Sequence, residues 1–430
     1  MDLTLAIFVL VYVAMGFGHL PGFKVDRTGA AVVGAMGLIA LGRITPAAAW
    51  AAIDYRTVGL LFGLMVVSSA FVVAGFYDRA ARWVGDLRVS PPALLAVLIG
   101  VAGGLSALLT NDVVVVAMTP VLVSITLARG LNPAPFLLGF CFAANTGSAA
   151  TLIGSPQNMI AAEALRLSFT GFLRVAALPA LLSLPIVWVT LALIYRGRWT
   201  APRPAAASAA PTGPGAAALG ATGPATTDAA PAAIPFDRLE TLKASLVTLA
   251  VVAAFVLTDW PHMLVALAGA AVLLVNRSIA SKDMLGRVDG DLLLLLMGLF
   301  VVNAAVAATG LPQRLLAGLN GIGVDLQDPL SMLAAMSVLS NIVGNNPAVM
   351  LAAPFLDGAA RPEALGAAIA LGTGFSSNLV IFGSLAGIIV AEQGRAHGVE
   401  IGFREFSRAG VPAALLCLAL ATGWILYLGS

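Results

Sequence analysis

Apolar runs of about 15 to 22 residues, separated by short Arg-bearing loops, recur from Leu3 to Leu428, and helices of that length cross a hydrocarbon layer roughly 30 Å thick. Outer-membrane strands would instead alternate over about ten residues. Only 10% of the 430 residues are charged and 60% are hydrophobic, with a mean hydropathy of +0.97. A soluble domain carries roughly a quarter charged residues, so an all-α polytopic membrane protein is expected. With 23 basic against 21 acidic residues the net charge is +2, which leaves no footprint for a nucleic acid. Leu3 to Phe17 has no Lys or Arg ahead of it and no small-residue cleavage site behind it, so it reads as a retained span, not a signal peptide. Cys141 and Cys417 lie inside apolar runs and read as packing residues.

One stretch breaks this pattern. Residues 201–235 are Ala, Pro, Gly, Thr and Ser with only Arg203 and Asp228 charged, a composition that cannot bury a core and reads as a disordered linker. It separates two transmembrane halves, 1–200 and 236–430. Each half reads as two spans (3–18 and 28–42; 243–258 and 262–276), a third (57–76; 291–311), a long segment with a polar centre (92–128; 329–357), a span with a Gly/Ser/Asn break (135–163; 363–392) and a last span (172–195; 406–428). Sliding the chain on itself sets Asp54 on Asp289, Gly63 on Gly298 and Gly75 on Gly310. With small gaps it then sets Ser106, Asn111 and Pro120 on Ser340, Asn345 and Pro354, and Ser148, Gly154, Ser155 and Glu163 on Ser377, Gly383, Ser384 and Glu392. Such repeated halves are characteristic of transporters.

If 92–128 and 329–357 are re-entrant hairpins, each half has five crossings and the second half is inverted. The expected architecture is then about ten transmembrane helices, two hairpins and two broken helices in two inverted repeats. With the N-terminus outside, only Arg43, Arg56, Arg166, Arg174, Arg314 and Arg361 face outward, and the other seventeen of the 23 basic residues face the opposite side. That bias predicts a cytoplasmic linker and both termini outside, hence periplasmic for a bacterial inner membrane.

Non-helical backbone at membrane depth is tolerated only where it is buried in protein or lines a cavity, so the polar breaks mark the candidate site. The first is the tip at Thr110-Asn111-Asp112, with Ser106 a turn earlier. A carboxylate costs about 2.5 kcal/mol or more at a span centre, so Asp112, the only acidic residue placed deep in the bilayer, is expected to bind a cation or carry a proton; capping the following half-helix is the structural reading of the same residue. The second break holds Asn145, Thr146, Gly147, Ser148, Thr151, Gly154, Ser155, Pro156, Gln157 and Asn158. Its unwound carbonyls suit a cation, and Pro156 suits the first turn of the next half-helix; small-residue helix packing is the competing reading. The third and fourth are Ser340, Asn341, Asn345, Asn346 and Pro347, and Thr373, Gly374, Ser376, Ser377, Asn378, Gly383 and Ser384. Asn346 stands where the first tip has Asp112, so a coupling cation, placed at Asn111, Asp112 and Ser148, belongs to the first half.

His19, His262 and His397 read as loop residues, Arg174 and Arg408 as interfacial anchors, and Glu163 and Glu392 as capping or surface ion-pair residues. Asp54 and Asp289 sit at span starts, where the helix dipole favours them without any function.

These motifs, Thr-Asn-Asp at 110–112, Ala-Asn-Thr-Gly-Ser at 144–148, Ile-Gly-Ser-Pro-Gln-Asn at 153–158, Asn-Asn-Pro at 345–347, Ser-Ser-Asn at 376–378 and Gly-Ser-Leu-Ala at 383–386, resemble the ion transporter superfamily. It includes divalent anion:sodium symporters, citrate transporters, arsenite permeases and sodium/proton antiporters, and the bacterial anion-permease branch is the nearest in motif. The resemblance implies inverted repeats, a dimer and elevator-type alternating access. The tips depart from the Ser-Asn-Thr pair of the dicarboxylate symporters, and Gly387 stands where relatives often have Asn. The resulting expectation is a secondary active transporter of a small anion or an arsenite-like solute, coupled to sodium or protons. A sodium/proton antiporter and a passive channel are the alternatives. No phosphate-binding G-x-x-x-x-G-K-[ST] occurs, so a separate ATPase subunit is compatible but not implied. No enzymatic constellation is present, and no cofactor beyond the coupling ion is expected.

Overall fold

The computed structural model describes residues 3–200, 234–321 and 323–429. Among them there is no β-strand, only two isolated bridges. The first half runs α1 Leu3–Phe17, α2 Arg27–Ala40, α3 Pro46–Ala52, α4 Tyr55–Val73, α5 Phe76–Asp86, α6 Pro91–Leu108, α7 Asn111–Ala128, α8 Pro133–Ser148, α9 Pro156–Leu165 and α10 Phe169–Ile194. The second runs α11 Arg238–Leu257, α12 His262–Leu274, α13 Ser281–Leu285, α14 Gly290–Ala307, α15 Leu311–Gly321, α16 Pro329–Val343, α17 Asn345–Ala352, α18 Pro362–Ser376, α19 Leu385–Ala396 and α20 Phe403–Gly429. Both halves repeat one order: long, long, short, long, amphipathic, then a helix pair, a broken pair and a terminal helix. Seven of these helices are long and apolar enough to cross a membrane.

The short helices α3, α5, α13 and α15 were not anticipated. In α5, charges at Asp78, Arg79, Arg82 and Asp86 interrupt the apolar run, and the helix buries only the face carrying Tyr77, Ala81 and Val84, which reads as loop in a search for spans. The expected linker 201–235 falls, apart from its last two residues, outside the described residues. The end of the linker and the residues just after it are anchored: Ile234 N–H donates to Asp78 Oδ2 at 3.2 Å and Asp237 N–H to the Ala74 carbonyl at 3.0 Å. Gly75 turns this corner at φ +69°, where an added Cβ would lie 2.8 Å from the Pro235 carbonyl oxygen.

Inside a bilayer, apolar surface gains little from leaving lipid, and small residues instead let helix backbones approach closely. Two such approaches exchange between the halves. A Cβ on Gly63 of α4 would lie 2.7 Å from the Ala266 backbone of α12, and one on Gly298 of α14 would lie 2.8 Å from the Ala31 backbone of α2. The register that sets Gly63 on Gly298 also sets Ala31 on Ala266, so the two contacts are one contact made twice. The α8 and α18 ends do the same. Asn145 Nδ2 bonds Asn378 Oδ1 at 2.9 Å, and the register of the breaks carries that pair onto Gly374 and Ala149, where a Cβ added to Gly374 would lie 3.1 Å from the Ala149 Cβ.

Candidate functional site

Both expected helix breaks are present. α8 stops at Ser148 and α9 starts at Pro156, its first residue as anticipated; α18 stops at Ser376 and α19 starts at Leu385, with Ser384 Oγ accepting from Gly387 N–H at 3.1 Å. The first break folds back on the first tip. Asn111 N–H donates to the Gly154 carbonyl at 3.0 Å and Thr151 Oγ1 to the Ala107 carbonyl at 2.5 Å. Asn158 Nδ2 clasps the Ser148 and Thr151 carbonyls at 2.9 and 2.8 Å. Gly154 has no room for a side chain, since a Cβ would lie 2.3 Å from the Ser148 carbonyl oxygen and 2.8 Å from that of Ser106. Around it, Ser106 Oγ, Asn111 Oδ1, Ser155 Oγ and Asn158 Oδ1 are buried without a protein partner.

The second half is arranged alike. Asn345 and Ser377 exchange bonds of 2.9 and 3.2 Å, Ser340 Oγ lies 3.0 Å from Ser376 Oγ, and the Oδ1 atoms of Asn341 and Asn346 have no protein partner. The tips themselves differ. In the first, Leu109 and Thr110 join α6 to α7 in extended conformation, with Thr110 donating to Ser68 Oγ at 3.1 Å. In the second, Gly344 alone turns the chain at φ +92°, ψ 159°.

Asp112 and Asn346 both occupy the second position of their helices, α7 and α17. The N-cap of α7 is Thr110, whose side chain makes no capping hydrogen bond, and Asp112 stands in the first turn of that helix. Its side chain faces a polar cavity of 260 Å³ that also takes in Asn111, Gln157, Asn345, Asn346, Pro347 and Ser384. Both tips and both breaks thus reach one space. Several residues expected at the site stand behind it instead. Thr146 and Thr373 bond the carbonyls of Phe142 and Ile369 in their own helices, Gly147 packs on Gly103, and Asn145 Nδ2 ties Ser384 Oγ at 3.0 Å to the core.

The structure adds to the site one residue that the sequence reading set aside, Asp289, and others that it did not single out. Asp289 caps α14 by accepting from Leu292 N–H at 2.9 Å, as its position foretold, yet it also lines the polar cavity, together with Asp291, Arg27 and Thr28. Arg27 and Asp289 open α2 and α14, which are bridged by Thr28 Oγ1 donating to the Asp291 carbonyl at 3.2 Å. Asp112 is therefore not alone among carboxylates. Beside Asp112, Asp289 and Leu385 the polar cavity adjoins a larger one of 580 Å³, mostly apolar, bordered by Arg82, Arg287 and Ile234. Among the described residues no group of three or more His, Cys, Asp and Glu is placed to hold a metal ion.

The profile of the citrate transporter family matches residues 8–372. The chain belongs to the citrate transporter family. An uncharacterized transporter of Mycobacterium tuberculosis is 28% identical over 99% of this chain and 98% of its own length. The silicon efflux transporter of rice, Oryza sativa subsp. japonica, is 35% identical over 39% of this chain and 34% of its own. The crystal structure of the YdaH transporter of Alcanivorax borkumensis superposes with a TM-score of 0.55 at 16% identity, covering 99% of this chain and 98% of that one, a likeness of fold. As a member of the citrate transporter family the protein is a multi-pass membrane transporter and not an enzyme.

Proposed function

We propose that the protein is a secondary active transporter that carries a small oxyacid or anion by elevator-type alternating access, coupled to sodium or protons at the first tip. The observation that carries this reading is the single cavity reached by both tips and both breaks, with Asp112 on one tip and Asn346 on the other. Four partnerless buried oxygens cluster around the first break, from Ser106, Asn111, Ser155 and Asn158. Neutral oxygens next to a carboxylate suit a hard monovalent cation, and the carboxylate alone suits a proton.

The cavity's charge narrows the cargo. Asp112, Asp289 and Asp291 face it against the one guanidinium of Arg27. With all of them ionised, a free polyanion is repelled unless a cation enters with it, whereas a neutral hydroxylated acid is not. This supports an arsenite- or silicic-acid-like solute, or an anion accompanied by its coupling cation, over bare citrate. Arg82, Arg287 and Ile234 at the larger cavity belong to the Arg-rich side, which supports an inward-facing state with the linker cytoplasmic and the termini periplasmic. The two halves form inverted repeats in this reading, and the protein is a homodimer of the bacterial inner membrane, as the resemblance implies.

The test is uptake by purified protein in proteoliposomes under imposed sodium or proton gradients, with silicic acid, arsenite and citrate in turn. Asp112→Asn is expected to abolish the response to the gradient and to lower uptake at least tenfold. Undiminished, gradient-driven uptake by this variant would remove Asp112 from the coupling site. Flux that needs no gradient in the wild-type protein would identify a channel instead.

A further inference from the structure

The register that sets Asp54 on Asp289 also sets Arg27, which opens α2, on His262, which opens α12. The register of the breaks sets Glu163 of α9 on Glu392 of α19. One of the two pairs so related is formed. Glu163 Oε1 lies 3.7 Å from His262 Nδ1, both side chains 17% exposed, with Phe255 edge-on to the imidazole at 5.0 Å. His262 is thus a helix-opening residue in a mostly buried contact with a glutamate, not the loop residue its sequence context suggests.

The mate of this pair is not formed. Arg27 is held through Nε by the Met15 carbonyl at 2.9 Å and faces the polar cavity. Among the described residues it has no ion pair, and Glu392 is exposed on α19 without one. The difference does not lie in the frame beneath, because α4 on α12 and α14 on α2 make the same Gly–Ala contact twice. It lies with the glutamates: Glu163 of α9 reaches the residue that opens α12, whereas Glu392 of α19 makes no ion pair with the residue that opens α2.

We propose that Glu392–Arg27 is the second of two reciprocal latches, formed on the linker side as the Glu163–His262 pair opens on the other. Two equivalent contacts, one made and one open, are what a two-state exchange between related halves requires. The geometry makes Arg27 and Glu392 positioning residues of the transport cycle: the guanidinium that borders the cavity while it is open receives the glutamate when it closes. This inference rests on the alternating access proposed above.

Two readouts that need no substrate test it. In the full-length protein in inside-out vesicles, the double variant Arg27→Cys/Glu392→Cys is expected to form a disulfide under mild oxidation. That crosslink should protect Ser124→Cys, on the wall of the larger cavity, from a membrane-impermeant maleimide. Separately, Arg27→Glu alone should raise Ser124→Cys labelling about threefold, the size expected for one partly exposed ion pair, and adding Glu392→Arg should return it to the starting rate. A crosslink that never forms in correctly folded protein, or a charge swap that fails to restore labelling, overturns the latch. If the crosslink fails while uptake stays coupled, the latch alone is wrong. If it forms while uptake ignores every gradient, the coupling reading alone is wrong.

Discussion

At the scale of single residues, the first break is held by backbone where side chains would not fit. Gly154 sits between the carbonyls of Ser148 and Ser106 while its own carbonyl receives Asn111 N–H. Backbone atoms on two sides cannot swing away as a flexible side chain would. Gly154→Ala is therefore expected to cost about 1–3 kcal/mol, as overpacking does, read as a lower melting temperature in detergent together with lost uptake. Gly104→Ala on α6 is the control, since nothing lies within 4 Å of its added Cβ; by helix propensity it should be neutral or gain up to about 1 kcal/mol. Equal losses in both variants would show that the break is no tighter than an open helix face. The polar residues of this break were visible in the sequence because each interrupts an apolar run. Arg27, Asp289 and Asp291 were not, because each begins an ordinary span, where solvent and the helix dipole account for a charge. Only the packing of α2 against α14 carries them to the tip of α7. Conversely, Thr146 and Thr373 read as site residues from their setting, but their hydroxyls bond the carbonyl one turn back in the same helix, a use that no pattern of neighbours reveals.

At the scale of elements, the two tips solve one problem differently. The first spends two extended residues, Leu109 and Thr110, on the turn, while the second uses Gly344 at φ +92°, ψ 159°. That region is essentially closed to residues with a Cβ, and occupying it costs of order 1–3 kcal/mol. A Cβ there would meet only Pro347 Cδ at 3.8 Å, so the penalty is one of backbone and not of crowding. Gly344→Ala should lower the melting temperature by that amount of stability and disturb the α16–α17 tip. Substitution of Leu109 by Ala leaves the backbone of the first tip unstrained, and its cost should be limited to lost packing. A Gly344→Ala protein as stable as the wild type would mean that the second tip tolerates another turn. Element order was legible down to the breaks, since hydrophobic length and polar interruption report on them directly. The helices α5 and α15 were hidden because amphipathic segments resemble loops when only apolar spans are sought.

For the whole molecule, the halves share an order of elements and exchange the same Gly–Ala contact, α4 on α12 and α14 on α2, yet the space they enclose is one-sided. The register of the tips sets Val116 of α7 on Met350 of α17. Val116 borders the larger cavity and is exposed, whereas Met350 is 2% exposed. Two positions equivalent by sequence therefore differ in access because only one side of the frame is open. The exchange of conformation proposed above would reverse this: Met350 would become the residue bordering a cavity, on the face opposite the linker, and Val116 would be covered. Val116→Cys should accordingly react with an impermeant maleimide from the linker side at rest, and Met350→Cys should be protected from both sides. Under an imposed gradient with substrate present, Met350→Cys should become reactive from the opposite side as Val116→Cys slows. Because the same cycle drives both changes, they should share one dependence on substrate concentration. Reactivity of both positions from the same side, or of Met350→Cys only after denaturation, would show that the one-sided cavity is a fixed feature of the fold and that transport proceeds without exchange between the halves.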